Sequence, residues 1–211
     1  MAFYPMESLT LTIEKLVHGG DGLARHDSGE IVFVPSSAPG DQLNVERLPK
    51  SGKSKIQQGK ILDILAPSPD RIPVDSPSIE CDWEHLTLEA QHHWKQQIVT
   101  ECLQRIGKFS SETISQTLLP IKTFDAEQSQ HYRNKVTLNV EFTESGTHIG
   151  YYEPGTHSVQ NLTPCLSMPQ KFYDLVDVLR EQLTAETRVE RIQIRGNEKN
   201  EVVLTILGDS A

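Results

Sequence analysis

Four consecutive residues, Tyr132-Arg133-Asn134-Lys135, set an aromatic ring, a guanidinium, an amide and an ammonium side by side. A planar guanidinium can take a phosphate or a base edge through two parallel hydrogen bonds. An amide can pair with an unstacked base, and a phenol ring can stack on one. On these residues alone, a surface strand end with a hydrogen-bonding Asn remains the competing reading. Further along stand Gly150-Tyr151-Tyr152 and His157, which could line the same surface or pack into a core. His92 and His93 are adjacent in a helical stretch with no ligand at i+4, so spacing gives them no metal role.

A second cationic group lies nearer the N-terminus. Arg47, Lys50, Lys53, Lys55 and Lys60 fall within fourteen positions that contain no acid, and Arg25 follows a glycine-rich turn. The chain as a whole carries a net charge of −9, and from Glu141 onward eleven acids face six bases. A local basic strip on an acidic body fits contact with phosphate at one place, not indiscriminate binding through bulk charge. The competing reading is a solvated hairpin tip.

The elements that must position these residues can be read from periodicity. Leu9, Leu11 and Ile13 alternate with Thr10, Thr12 and Glu14, which is the period of a strand. His18-Gly19-Gly20-Asp21-Gly22 supplies a tight turn, and Pro35 and Ala38-Pro39-Gly40-Asp41 stop the short strand 31–34. Strands over 43–48 and 60–65 complete a small OB-like β-barrel in residues 1–66. Ala66-Pro67-Ser68-Pro69 reads as a linker. Residues 67–211 then read as an α+β domain with an antiparallel sheet. Its helices are one over 86–105, closed by Gly107, and one opening at Pro169 that buries Phe172, Leu175, Val176, Leu179 and Leu183. Its strands are 136–142, 148–152, 189–194 and 202–206.

Composition sets the outer limits. The 211 residues suffice for one large or two small domains, and 36% hydrophobic with 23% charged residues is ordinary for a globular protein. No apolar run approaches a membrane span, and residues 1–16 do not form a signal peptide, so a cytoplasmic address is expected. Cys81, Cys102 and Cys165 are too scattered for a disulfide framework, and Cys102 reads as a buried thiol on an apolar helix face beside Ile98 and Ile106. Oligomeric state is not legible.

Taken in order, these segments resemble a known family. The run His18-Gly19-Gly20-Asp21-Gly22-Leu23-Ala24-Arg25, followed by Ile31-Val32-Phe33-Val34-Pro35 and Pro39-Gly40-Asp41, is similar to the TRAM domain, an RNA-binding β-barrel of tRNA- and rRNA-modifying enzymes. Cys81-Asp82-Trp83-Glu84-His85-Leu86 with Gln91, Lys95 and Gln96 resembles the segment after the iron–sulfur cysteines of bacterial 23S rRNA uracil-C5 methyltransferases. Tyr132 to Lys135, Gly150-Tyr151-Tyr152, His157 and Cys165-Leu166 continue the likeness in the same order. The resemblance implies RNA as partner, rRNA ahead of tRNA. It also implies RNA contact by Arg25, Lys53, Lys55, Lys60, Tyr132, Arg133, Asn134, Lys135 and His157.

Two departures from the family pattern shape the expectation. Members with a [4Fe–4S] cluster use three clustered cysteines and a distant fourth. Cys81 and Cys165 match two of these positions, while Ser78 stands at a third. Two thiolates do not hold a cubane that takes four, so the pair reads as a remnant with no cluster. The family's methyltransferase domain binds S-adenosylmethionine, and no Gly-rich strand-to-helix turn for that cofactor is present. The expected function is therefore the RNA-binding, substrate-recognition portion of an S-adenosylmethionine-dependent RNA (uracil-C5-)-methyltransferase, with no catalytic residue, metal or cofactor of its own. The other reading is a free-standing RNA-binding protein that has lost its enzyme.

Overall fold

The computed structural model describes residues 8–50, 56–74, 78, 81–122, 130–199 and 201–208. They group into two compact units, Met1–Val74 with Asp82–Thr123 and Asp75–Cys81 with Phe124–Ala211. The expected boundary at residue 66 falls inside the first unit.

The first unit holds a closed barrel of five strands, β1 (Ser8–Leu16), β2 (Gly22–Arg25), β3 (Ile31–Val34), β4 (Gln42–Arg47) and β5 (Gln57–Ala66). Their order is β1-β2-β3-β5-β4, with β3 and β5 parallel and the other pairs antiparallel. Residues 8–12 of β1 pair with β4 and residues 13–16 with β2, a register shift after Ile13 marking the changeover. One strand thus serves two neighbours and leaves no free edge there. Leu9, Leu11, Ile13, Ala24, Val32, Val34, Leu43 and Val45 fill the interior, each on the inward phase of its strand. Gly22 is required by close approach, because a Cβ there would strike the Ser37 hydroxyl and the Ile13 side chain.

Asp41 ties the barrel to the chain that follows it. Its carboxylate accepts from the amides of Ala38 (2.6 Å) and Ser68 (2.8 Å) and from Arg71 Nη2 (2.6 Å) and Nε (3.1 Å). Arg71 also donates to the Ser36 carbonyl at 2.9 Å. The Pro-rich stretch is consequently bonded to the barrel at Ser68 and Arg71. Helix α1 (Leu88–Arg105) belongs to the same unit, capped by Thr87, whose hydroxyl accepts from the Ala90 amide. Leu86 and Ala90 bury with Leu16 and Ala38, while Trp83, Trp94 and Ile98 pack against that cluster. The packing stops at Ile98: Val99 is 46% and Ile106 80% exposed, and Cys102 is only half-buried. The expectation of a buried Cys102 is thereby corrected, since its neighbour Ile106 faces solvent. A short helix α2 (Ser111–Thr117), capped by Ser110, follows.

The second unit is an antiparallel sheet of β6 (Lys135–Thr143), β7 (Gly146–Tyr152), β8 (Val159–Asn161), β9 (Val189–Gly196) and β10 (Val202–Gly208), in the order β10-β9-β6-β7-β8. Helix α3 (Gln170–Gln182) covers one face, burying Phe172, Tyr173, Val176 and Leu179 against Val136, Leu138, Ile149, Ile192 and Ile194. Gly150 lets β8 lie close, because a Cβ there would run into the Gln160 carbonyl. The architecture is a five-stranded barrel and an α+β unit with an antiparallel sheet, as the patterning predicts. Among the described residues, no helix is long and apolar enough to cross a membrane.

Candidate nucleic-acid interface

The tetrad Tyr132 to Lys135 lies in the second unit, where the chain enters β6. Its backbone hangs from the loop before α3: the Arg133 amide donates to the Ser167 carbonyl (3.0 Å) and the His131 amide to the Leu166 carbonyl (2.6 Å). His131 Nδ1 meets the Met168 carbonyl at 2.7 Å. At the other end the Asn134 carbonyl accepts from the Gly196 amide at 2.8 Å. Held this way, Tyr132 is 65% exposed, Asn134 and Lys135 are exposed, and Arg133 is half-buried. Burial works against the Arg133 charge, but Tyr151, Tyr132, Cys81 and Cys165 outweigh it and hold its pKa above the ordinary arginine value.

Lys135 begins a row of cations on the sheet face that α3 leaves uncovered. Side chains alternate across a strand, so Lys135, Thr137 and Asn139 of β6 share the face opposite Val136 and Leu138. The register sets Lys135 opposite Arg195, Thr137 opposite Gln193 and Asn139 opposite Arg191. Arg191 and Arg195 are exposed, and Gln193 Nε2 donates to Thr137 Oγ1 at 3.2 Å while its Oε1 accepts from Arg195 Nε at 3.0 Å. The carboxylate of Glu141 on β6 is engaged by the Val159 amide at 2.6 Å. The residues Arg191 and Arg195 are absent from the expected site, although their alternation with Ile192 and Ile194 is legible in the sequence.

The aromatic trio divides. Tyr151 packs partly buried against the sheet core, and Tyr152, the next residue and hence on the opposite face, meets His157 edge-on with ring centroids 5.8 Å apart. His157 is exposed in the turn after β7.

On the barrel, the cationic strip is less open than its composition suggests. Arg47 Nη2 bonds both oxygens of Glu30 (2.9 and 2.7 Å), and Lys50 Nζ reaches the same carboxylate at 3.2 Å. Lys60 is exposed on β5 opposite Glu46, and Arg25 lies 4.0 Å from Glu14. Lys53 and Lys55 lie outside the described residues.

The two family cluster positions come together in the second unit. The Cys81 thiol donates to Ser167 Oγ at 3.7 Å, and the same oxygen is 2.9 Å from Cys165 Sγ, so the two sulfurs share one hydroxyl. The Tyr173 hydroxyl fixes the Cys165 backbone, accepting from its amide (2.8 Å) and donating to its carbonyl (3.2 Å). The neighbouring Cys81 thiol acts first, against burial, and with Ser167 and Tyr173 it holds the Cys165 thiol well below the ordinary thiol range. Ser78 is buried, and Cys102 lies on α1 of the first unit. Two thiols with hydroxyl neighbours do not fit a [4Fe–4S] cluster, which takes four thiolates. Among the described strands the only parallel pair is β3–β5, inside the barrel.

Comparison with known proteins gives the geometry its relatives. Residues 2–46 match the TRAM domain family. The chain is 37% identical over 162 residues to an uncharacterized RNA methyltransferase of Synechocystis, covering 74% of this chain and 33% of the relative. It is 30% identical over 160 residues to another from Halalkalibacterium halodurans, with 74% and 33% covered. It is 24% identical over 195 residues to the 23S rRNA (uracil(1939)-C(5))-methyltransferase of Shewanella sediminis, with 88% and 42% covered. Among solved structures, the tRNA (uracil-54, C5)-methyltransferase of Pyrococcus abyssi, bound to S-adenosyl-L-homocysteine, shares the fold. Its TM-score is 0.65 at 20% identity, over 96% of this chain and 46% of that one. The chain spans about a third of the length of the first curated relatives it matches. Along about three quarters of its own length the chain is similar to proteins named as RNA methyltransferases, and its residues 2–46 match the TRAM domain.

Proposed function

We propose that this chain is the substrate-recognition portion of an RNA (uracil-C5-)-methyltransferase that acts on rRNA in the cytoplasm. The observation that carries this reading is the alignment of 88% of the chain with a relative named for 23S rRNA uracil methylation. The tRNA enzyme from Pyrococcus is alike in fold at 20% identity, a weaker pointer to substrate. In this reading the second unit grips looped RNA through Tyr132, Arg133, Asn134 and Lys135. Arg191 and Arg195 extend the phosphate track and His157 stands beside it. The barrel adds Arg25, Lys60, Lys53 and Lys55. Uridine is presented to a separate methyltransferase domain, which S-adenosylmethionine serves and to which this chain contributes no catalytic group.

The reading is tested by offering the full chain a 23S rRNA fragment containing the uridine named for the Shewanella relative, with unmodified tRNA as competitor. Preferential capture of the rRNA fragment, with no methyl incorporation from radiolabelled S-adenosylmethionine, is the expected result. Preference for tRNA would move the substrate, and methyl transfer by this chain would overturn the division of labour.

A further inference from the structure

We propose that Cys81 and Cys165 form a redox-active dithiol that closes to an intramolecular disulfide and so clamps the loop from which the Tyr132–Arg133 backbone hangs. The two sulfur atoms share one hydrogen-bond partner, the Ser167 hydroxyl, at 3.7 Å from Cys81 and 2.9 Å from Cys165. Cys165 is 8% exposed and locked at amide and carbonyl by the Tyr173 hydroxyl, so its sulfur stays where Cys81 can reach it. Cys81 is half-buried and offers the point of entry. Among the described residues no group of three or more metal-ligating side chains forms, and the two thiols present suit a two-electron couple of their own.

The oxidant class is a small-molecule disulfide such as oxidised glutathione. The Cys81 thiolate attacks one sulfur of that disulfide, forming a mixed disulfide and expelling one glutathione thiolate. Cys165 sulfur then attacks Cys81 Sγ, the protein S–S bond forms, and the second glutathione thiolate leaves. Two protein thiols are oxidised, one glutathione disulfide is reduced, and the two protons pass to the departing thiolates. Cys165, Leu166, Ser167 and Met168 form one loop. Two of its carbonyls hold the His131 and Arg133 amides, so closure restrains the tetrad as well.

The test uses the full chain and no RNA, so its outcome is independent of the proposed function. The protein is incubated with oxidised glutathione, blocked with iodoacetamide, digested and weighed by mass spectrometry. Amide hydrogen exchange is followed on a second aliquot. Expected are a Cys81–Cys165 linked peptide that dithiothreitol reverses, Cys102 outside the link, and slower exchange at residues 131–133 in the oxidised form. Either of two results would overturn the proposal: Cys81 and Cys165 both fully alkylated after oxidant, or links to Cys102 in equal yield. A linked peptide with unchanged exchange would refute the clamp.

Discussion

Replacing Asp41 by Ala removes the acceptor for two backbone amides and for Arg71, whose side chain is only 14% exposed. The carboxylate itself is fully buried. Breaking a buried, hydrogen-bonded ion pair on one side costs about 3–5 kcal/mol, because the partner charge is left without compensation. The orphaned Ala38 and Ser68 amides add to that cost unless water enters, so about 4 kcal/mol is a conservative figure. Both tryptophans, Trp83 and Trp94, lie in the same unit, and the Trp83 indole donates to the Gly20 carbonyl at 3.0 Å. Intrinsic fluorescence therefore reports this unit selectively. With a urea m-value of about 2 kcal/mol/M, Asp41→Ala should lower the unfolding midpoint by roughly 2 M. Asp41→Asn keeps the volume and one acceptor oxygen and should cost about half as much. In a cycle with Arg71→Met, the double variant should be less damaged than the sum of the single ones, by at least about 1.5 kcal/mol. A midpoint shift below about 0.5 M for Asp41→Ala would refute the assignment of Asp41 as the tie between barrel and following chain.

Other outcomes follow from the same contacts. Burial holds the His85 pKa below 6.5. For Asp41, burial pushes upward but is outweighed by Arg71 and the Ser68 and Ala38 amides, which leave it below 3.8. In both cases the unfolded chain binds more protons, so stability is complete above pH 6.5, then falls as His85 and later Asp41 protonate. A tryptophan-detected Tm that stays flat from pH 7 to pH 3 would contradict this. Gly22→Ala forces a methyl onto Ser37 and Ile13 and should cost about 3 kcal/mol in urea titrations, and a neutral effect would show that the barrel yields there. Arg133→Ala should weaken RNA binding about tenfold, roughly one charge-assisted contact, with the Tm unchanged, and equal affinity would remove Arg133 from the site.

Much of the architecture was legible because its periods are clean. Leu9-Leu11-Ile13 and Val136-Leu138-Val140 alternate at period two, and Phe172, Val176 and Leu179 recur at helical spacing. What escaped was set by contacts between distant positions. Ser68 and Arg71 look like linker, yet the Asp41 carboxylate, some thirty residues back, holds them to the barrel. Strand β8 is three residues long and acquires its identity from β7. Helix α2 has a serine cap and an acid in its first turn, a signal present but too short to stand out. At the site, the basic strip read as open because Glu30 is remote in sequence from Arg47 and Lys50 while bonded to both. Conversely, Arg191 and Arg195 gain interest only when the β6–β9 register sets them opposite Asn139 and Lys135. Cys81 and Cys165 were separately visible, but their shared serine was not.

The most direct test of the central claim is the salt dependence of RNA binding by the full chain, measured by fluorescence anisotropy on a labelled 23S rRNA fragment. If Arg133, Lys135, Arg191 and Arg195 each neutralise a phosphate, log K should fall with log salt at a slope of about −3. That corresponds to roughly a 50-fold loss of affinity between 50 and 200 mM salt, and Lys135→Ala with Arg195→Ala should flatten the slope by about half. Binding that is absent at 50 mM salt, or that ignores both salt and these substitutions, would contradict the account.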